Sequence, residues 1–167
     1  MFFYTLPILF NDIQIVSPIE CLVIMSGIFL VLFISAPQPD PAWKTPSYDS
    51  YLLASWVGGI ALPWVFWPYF LFLNAGLLTA DLLAKSGKIT VSSWDEIHFV
   101  LLLTIVWWTT GIWRCSANTS ARIWATLARF TTIAVFIEYG LKLAIRIDYP
   151  RIFFNCEEIL LDYGSCF

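Results

Sequence analysis

The sequence predicts an all-α integral membrane protein with about four transmembrane helices. Hydrophobic residues make up 59% of the chain and charged residues only 13%, far below the roughly 25% charged residues of an ordinary soluble domain. Four long apolar runs lie within residues 19–147, and three continue for about a bilayer thickness without a charge. Aromatic residues, nine Trp among them, make up 18%, as expected for helices anchored at membrane interfaces.

The apolar runs predict one transmembrane helical domain over residues 1–150, followed by a short extramembrane tail over 151–167. Predicted spans cover about 18–36, 61–80, 97–113 and 123–147. The run before residue 18 is too short to cross and is interrupted by Pro7, so we expect it to lie along the interface. It lacks a basic segment and a small-residue cleavage site, so we expect no removable signal peptide.

The first span begins near Pro18, whose fixed φ suits the first turn of a helix. It is charge-free from Cys21 to the proline-rich segment APQPDPAWKTP, where we expect the helix to end.

The second apolar segment, residues 51–79, carries no charge and is longer than the ~20 residues that one span needs. Two prolines and the pair Gly58 and Gly59 weaken a regular helix within it. We favour an interfacial or re-entrant stretch to about Ile60, followed by a crossing over 61–80. A single tilted and kinked helix is the alternative.

A capping-box pattern at Ser93 and Glu96 predicts that the third helix starts near Trp94. The connection RCSANTSAR is short, which predicts that the third and fourth helices form an antiparallel pair. The fourth span is the least apolar.

Residues 113–129, WRCSANTSARIWATLAR, form the most distinctive string. Its aromatic and basic residues are predicted interfacial anchors at the two ends of a helical hairpin, with the arginines at headgroups: Trp113, Arg114, Arg122 and Trp124. The string resembles a turn of small bacterial inner-membrane proteins, which implies a bacterial inner (plasma) membrane but no activity.

Four polar residues are candidates for an intramembrane site or for contacts with partners or lipid. Arg129 lies well inside a span, where an arginine needs an acid, a wet cavity or access to the interface. Glu138 and Lys142 have the i,i+4 spacing of a helical ion pair, which favours a local pair over an ion relay. Asn74 is predicted to bond between helices or to line a path.

No catalytic, cofactor-binding or metal-binding motif is present. His98 is the only histidine, too few for the usual histidine-rich metal site, and we expect it at the interface near a helix start. Cys156 and Cys166 form a possible disulfide in the tail, with two free thiols as the alternative.

These observations predict a non-catalytic accessory, structural or assembly subunit of a larger membrane complex. The expected partners are membrane protein subunits and lipids, with a homo-oligomer possible, and dispersed basic residues exclude a nucleic-acid surface. The alternative is a small transporter or channel component with a polar site around Arg129, Glu138 and Lys142. Basic-residue counts favour cytoplasmic termini, whereas the acid-free 114–122 turn favours a cytoplasmic turn.

Overall fold

A computed structural model describes residues 17–39 and 49–148, and over these residues every regular element is a helix. The helices are α1 (Pro18–Ser35), α2 (Tyr51–Val57), α3 (Leu62–Lys85), α4 (Val91–Cys115) and α5 (Arg122–Asp148). The predicted all-α class is confirmed for this part of the chain. The predicted N-terminal interfacial stretch, the C-terminal tail and the pair Cys156 and Cys166 lie outside the described residues.

Within the described ranges, three helices are long and apolar enough to cross a membrane: α1, α3 and α4, with 18, 24 and 25 residues. Helix α5 has 27 residues and is also long enough, but it carries six charged side chains along its length, which keeps it out of this class. The three apolar helices give the protein the character of a membrane protein.

Two helix starts show how local sequence sets the bounds. At α1, Ser17 and Glu20 form the reciprocal capping box, and Pro18 occupies the first turn. The predicted start of α4 near Trp94, with Ser93 as the cap, was wrong. The N-cap is Thr90, whose side chain accepts a hydrogen bond from the Ser93 amide at 3.2 Å. The helix therefore begins three residues before Trp94.

The apolar segment 51–79 is divided between two helices. Helix α2 ends at Val57, and Gly58 follows as its C-cap, with a φ of 88° that is left-handed and suits glycine. Helix α3 then begins at Leu62 and continues through Pro68 to Lys85.

The long helices run alternately up and down. Helix α4 packs against α3 and α5, α1 packs along α5, and α2 lies against the C-terminal half of α4. Close packing of α2 on α4 depends on Gly111, because a Cβ there would lie 3.1 Å from the Ser55 carbonyl oxygen. The core lies between α3 and α4, around Trp108, whereas most of α1 is exposed.

Candidate functional site

Five side chains form a buried polar cluster between α3, α4 and α5, and we call it the charged cluster. Each is no more than 6% exposed. They are Asp81, Trp94, His98, Glu138 and Lys142. A carboxylate and an ammonium so far from water are costly unless they are paired, so the contacts among these groups decide what the cluster does.

The pair at its centre joins two helices that are distant in sequence. The Lys142 ammonium of α5 donates to Oδ2 of Asp81 of α3, as a buried salt bridge. The indole Nε1 of Trp94, on α4, donates to the other carboxylate oxygen at 3.2 Å. Asp81 thus accepts a hydrogen bond from each of the other two helices.

His98 is held by its own helix and by α5. Its ring stacks on Trp94 with centroids 3.6 Å apart, and its Nδ1 lies 2.9 Å from the Trp94 carbonyl oxygen. A carbonyl only accepts, so this contact assigns the proton to Nδ1. Nε2 lies 3.8 Å from Oδ1 of Asp81, beyond hydrogen-bond distance. The Tyr139 hydroxyl completes the junction by donating to the His98 carbonyl at 2.7 Å.

Glu138 has the least satisfied side chain of the charged cluster. It is 2% exposed, and neither carboxylate oxygen has a hydrogen-bond partner among the described residues. The expected i,i+4 ion pair with Lys142 does not form, because the ammonium is bonded to Asp81 instead. Glu138 remains next to that pair on the same helix.

The other polar region lies at the opposite end of the bundle, and we call it the arginine end. It consists of Arg114, Asn118, Arg122 and Arg129. Arg129 donates through Nε to the Ser116 hydroxyl at 2.8 Å, and its guanidinium lies 4.6 Å from the centre of the Trp113 ring. It therefore lies against the end of α4, far from Glu138 and Lys142.

The two other arginines bind the carbonyl ends of helices. Arg122 donates through Nε to the Ala36 carbonyl at 3.0 Å and through a second nitrogen to the Ile34 carbonyl, both at the end of α1. Arg114 donates to the Trp56 carbonyl in the last turn of α2 at 2.7 Å. Cations at these positions complement the negative end of the helix dipole.

Asn118 holds the link between α2 and α3. Its side-chain amide donates to the backbone carbonyls of Gly58 and Ile60 at 2.7 and 3.0 Å. Its backbone carbonyl accepts a hydrogen bond from the Leu62 amide at 3.0 Å. Of the predicted aromatic anchors, Trp113 and Trp124 are both exposed. Among the described residues, the Asn74 amide has one hydrogen-bond partner, the Phe70 carbonyl of its own helix at 2.7 Å.

The structure thus joins two predicted site residues, Glu138 and Lys142, with Asp81 and His98, which sequence reasoning missed as site residues. Helical periodicity could have identified both residues. Asp81 lies in helical register with the buried residues Leu73, Leu77 and Ala84, and His98 lies four residues after the buried Trp94. Polar residues within a buried stripe point inward.

No family model, curated protein or solved structure matches this chain. Among the described residues, no group of three or more His, Cys, Asp or Glu side chains is arranged to hold a metal ion. The free cysteines of this part are Cys21 and Cys115, on different helices. The site must therefore be interpreted from its own contacts.

Proposed function

We propose that this chain is a non-catalytic accessory or assembly subunit of a larger complex in a membrane. The observation that carries the proposal is that its buried and half-buried polar side chains join helices to one another. Asp81 and Lys142 tie α3 to α5, and Arg122 ties α5 to α1. The bacterial inner membrane is the proposed location, on the resemblance of the 113–129 turn.

Helix α5 is proposed as the fourth crossing. Its 27 residues extend about 40 Å at 1.5 Å per residue, enough to cross the ~30 Å hydrocarbon core. Its charges are consistent with that position, because Lys142 is paired with Asp81 and Arg129 lies near an end. Four crossings would place both termini on the same side.

The outer face of α1 is the proposed contact with partner subunits. Its only close packing within the described residues is along α5, and its outward side chains, such as Val23 and Val31, are about two-thirds exposed. Lipid alone can cover such a face. A subunit role requires that protein covers part of it in the native membrane.

The test is site-specific photo-crosslinking in native membranes, followed by purification in mild detergent. A photoreactive residue at Val23 should crosslink to the same one or two membrane proteins in every preparation, and these proteins should copurify in fixed ratio with the unmodified chain. Leu103, on the outer face of α4 and 59% exposed, is the matched control. A monomer or homo-oligomer that crosslinks only to lipid would overturn the proposal.

A second candidate function, a small transporter or channel component, is favoured by one observation. The Glu138 carboxyl is buried beside an ion pair and lacks a hydrogen-bond partner among the described residues, and ionisable residues within a membrane often mark ion or proton pathways. Against it, neither Arg129 nor Asn74 joins the charged cluster.

Proton flux into liposomes separates the two functions. If the cluster carries protons, purified protein in liposomes with an internal pH dye should dissipate a pH gradient, and Glu138→Gln should abolish that flux. Glu96→Gln, on the exposed surface of α4, is the matched control and should leave it unchanged. A gradient that decays no faster than in protein-free liposomes rules out proton transport.

A further inference from the structure

A cavity of about 700 Å³ opens between α3 and α5 at the arginine end. Its α3 wall includes Phe66, and its α5 wall includes Leu127 and Thr131. The gap exists because α3 and α5 both pack on α4 and not closely on each other. Pockets of this size accommodate a small ligand or part of a larger one.

The cavity is apolar inside and polar at one rim. The rim is the turn after α4, where Thr119 and Ser120 present hydroxyl groups. An exposed tryptophan stands on either side, Trp67 on α3 and Trp124 on α5. Tryptophans of membrane proteins concentrate at the level of the lipid headgroups. We therefore expect the rim at headgroup depth, with the apolar interior below it.

The rim also lies in a positively charged region. The turn runs from Arg114 to Arg122 without an acidic residue, and among the described residues none of the three arginines of the arginine end forms an ion pair. Their partners are carbonyl oxygens and the Ser116 hydroxyl. Helix ends carry only partial negative charge, so the guanidinium charges are not cancelled.

We propose that this cavity binds one anionic phospholipid. An acyl chain lies along Phe66 and Leu127, and the phosphate lies at the rim near Thr119 and Ser120. Three features together select this occupant: the apolar interior, the hydroxyl rim at headgroup depth and the uncancelled positive charge. The site does not depend on the proposed subunit role, since a lipid can bind to the isolated chain.

The test is native mass spectrometry of the purified chain, titrated with phosphatidylglycerol or phosphatidylcholine of the same acyl chains. The first phosphatidylglycerol molecule should bind at least about fivefold more tightly, the effect of one basic residue at a membrane surface. Leu127→Trp should place an indole in the path of the acyl chain and abolish this preference. Leu143→Trp is the matched control, because Leu143 is on the same helix, comparably exposed and outside the cavity.

A second variant tests the headgroup position without obstructing the apolar interior of the cavity. Ser120→Asp places a negative charge at the exposed rim and should remove the preference for phosphatidylglycerol, whereas Ser92→Asp, exposed at the far end, should keep it. Thermal unfolding shows that each variant is folded. Equal affinity for the two lipids, or a preference that survives Leu127→Trp, overturns the proposal.

Discussion

The two polar regions of this bundle hold helices together in different ways. At the arginine end, cations bind backbone carbonyls at the ends of α1 and α2. In the charged cluster, a lysine binds a carboxylate side chain between α3 and α5. A carbonyl at a helix end is present whatever the sequence, whereas a carboxylate must be supplied by one particular residue.

That difference determines how each region fails. Removing an arginine leaves a carbonyl that water or lipid headgroups can reach at the bundle end. Removing Asp81 leaves the Lys142 ammonium buried and without its counterion, which is far more costly. The charged cluster should therefore be the less tolerant of the two regions.

The largest expected effect is that of Asp81→Asn. It replaces the carboxylate bonded to Lys142 with a neutral amide, and it should destabilise the fold by about 3–5 kcal/mol, the cost of breaking a buried ion pair. Thermal unfolding in detergent, followed by tryptophan fluorescence, measures the loss.

The double variant Asp81→Asn with Lys142→Met separates the pair from its surroundings. Removing both charges should recover at least half of the stability lost in Asp81→Asn. If the stability lost in the double variant equals the sum of the losses in Asp81→Asn alone and Lys142→Met alone, the two side chains do not interact in the folded protein.

At the arginine end, Arg122→Gln should cost less. It removes charge-assisted hydrogen bonds to the Ala36 and Ile34 carbonyls, with an expected loss of about 2 kcal/mol. The damage should remain local, so hydrogen exchange should accelerate in the last turn of α1 and stay unchanged in α4. Lys88→Gln, at an exposed position in the opposite turn, is the control. Equal exchange in both variants would show that Arg122 does not hold α1.

Two glycines distinguish the two regions by packing alone. A Cβ at Gly111, at the arginine end, would lie 3.1 Å from both the Ser55 carbonyl oxygen and the Val65 side chain, whereas a Cβ at Gly140, beside the charged cluster, would meet nothing within 4 Å. Gly111→Ala should destabilise by about 1–2 kcal/mol through overpacking. Gly140→Ala should be neutral or stabilise by up to about 1 kcal/mol. Equal melting temperatures would mean that α2 does not pack closely on α4.

The difference between local features and contacts between distant residues explains what could be predicted from the sequence. The helix class and the apolar character of the long helices follow from local composition, because apolar runs act on their own neighbourhood. The pair of Asp81 with Lys142 joins residues 61 positions apart, and no local rule identifies it. The i,i+4 rule selected Glu138 as the partner of Lys142, since it compares only residues of one helix.

The smallest expected effect tests whether burial, rather than charge, makes the charged cluster intolerant. Arg146 of α5 donates to Asp95 of α4 at 3.2 Å, so this ion pair also joins two helices, but the Asp95 side chain is 47% exposed. Because solvent reaches the Asp95 carboxylate and screens the pair, Asp95→Asn should cost less than about 1 kcal/mol, well below the loss in Asp81→Asn. Thermal unfolding of both variants in the same detergent makes the comparison. If Asp95→Asn destabilises as strongly as Asp81→Asn, exposure does not distinguish the two ion pairs, and the account of the charged cluster by burial is wrong.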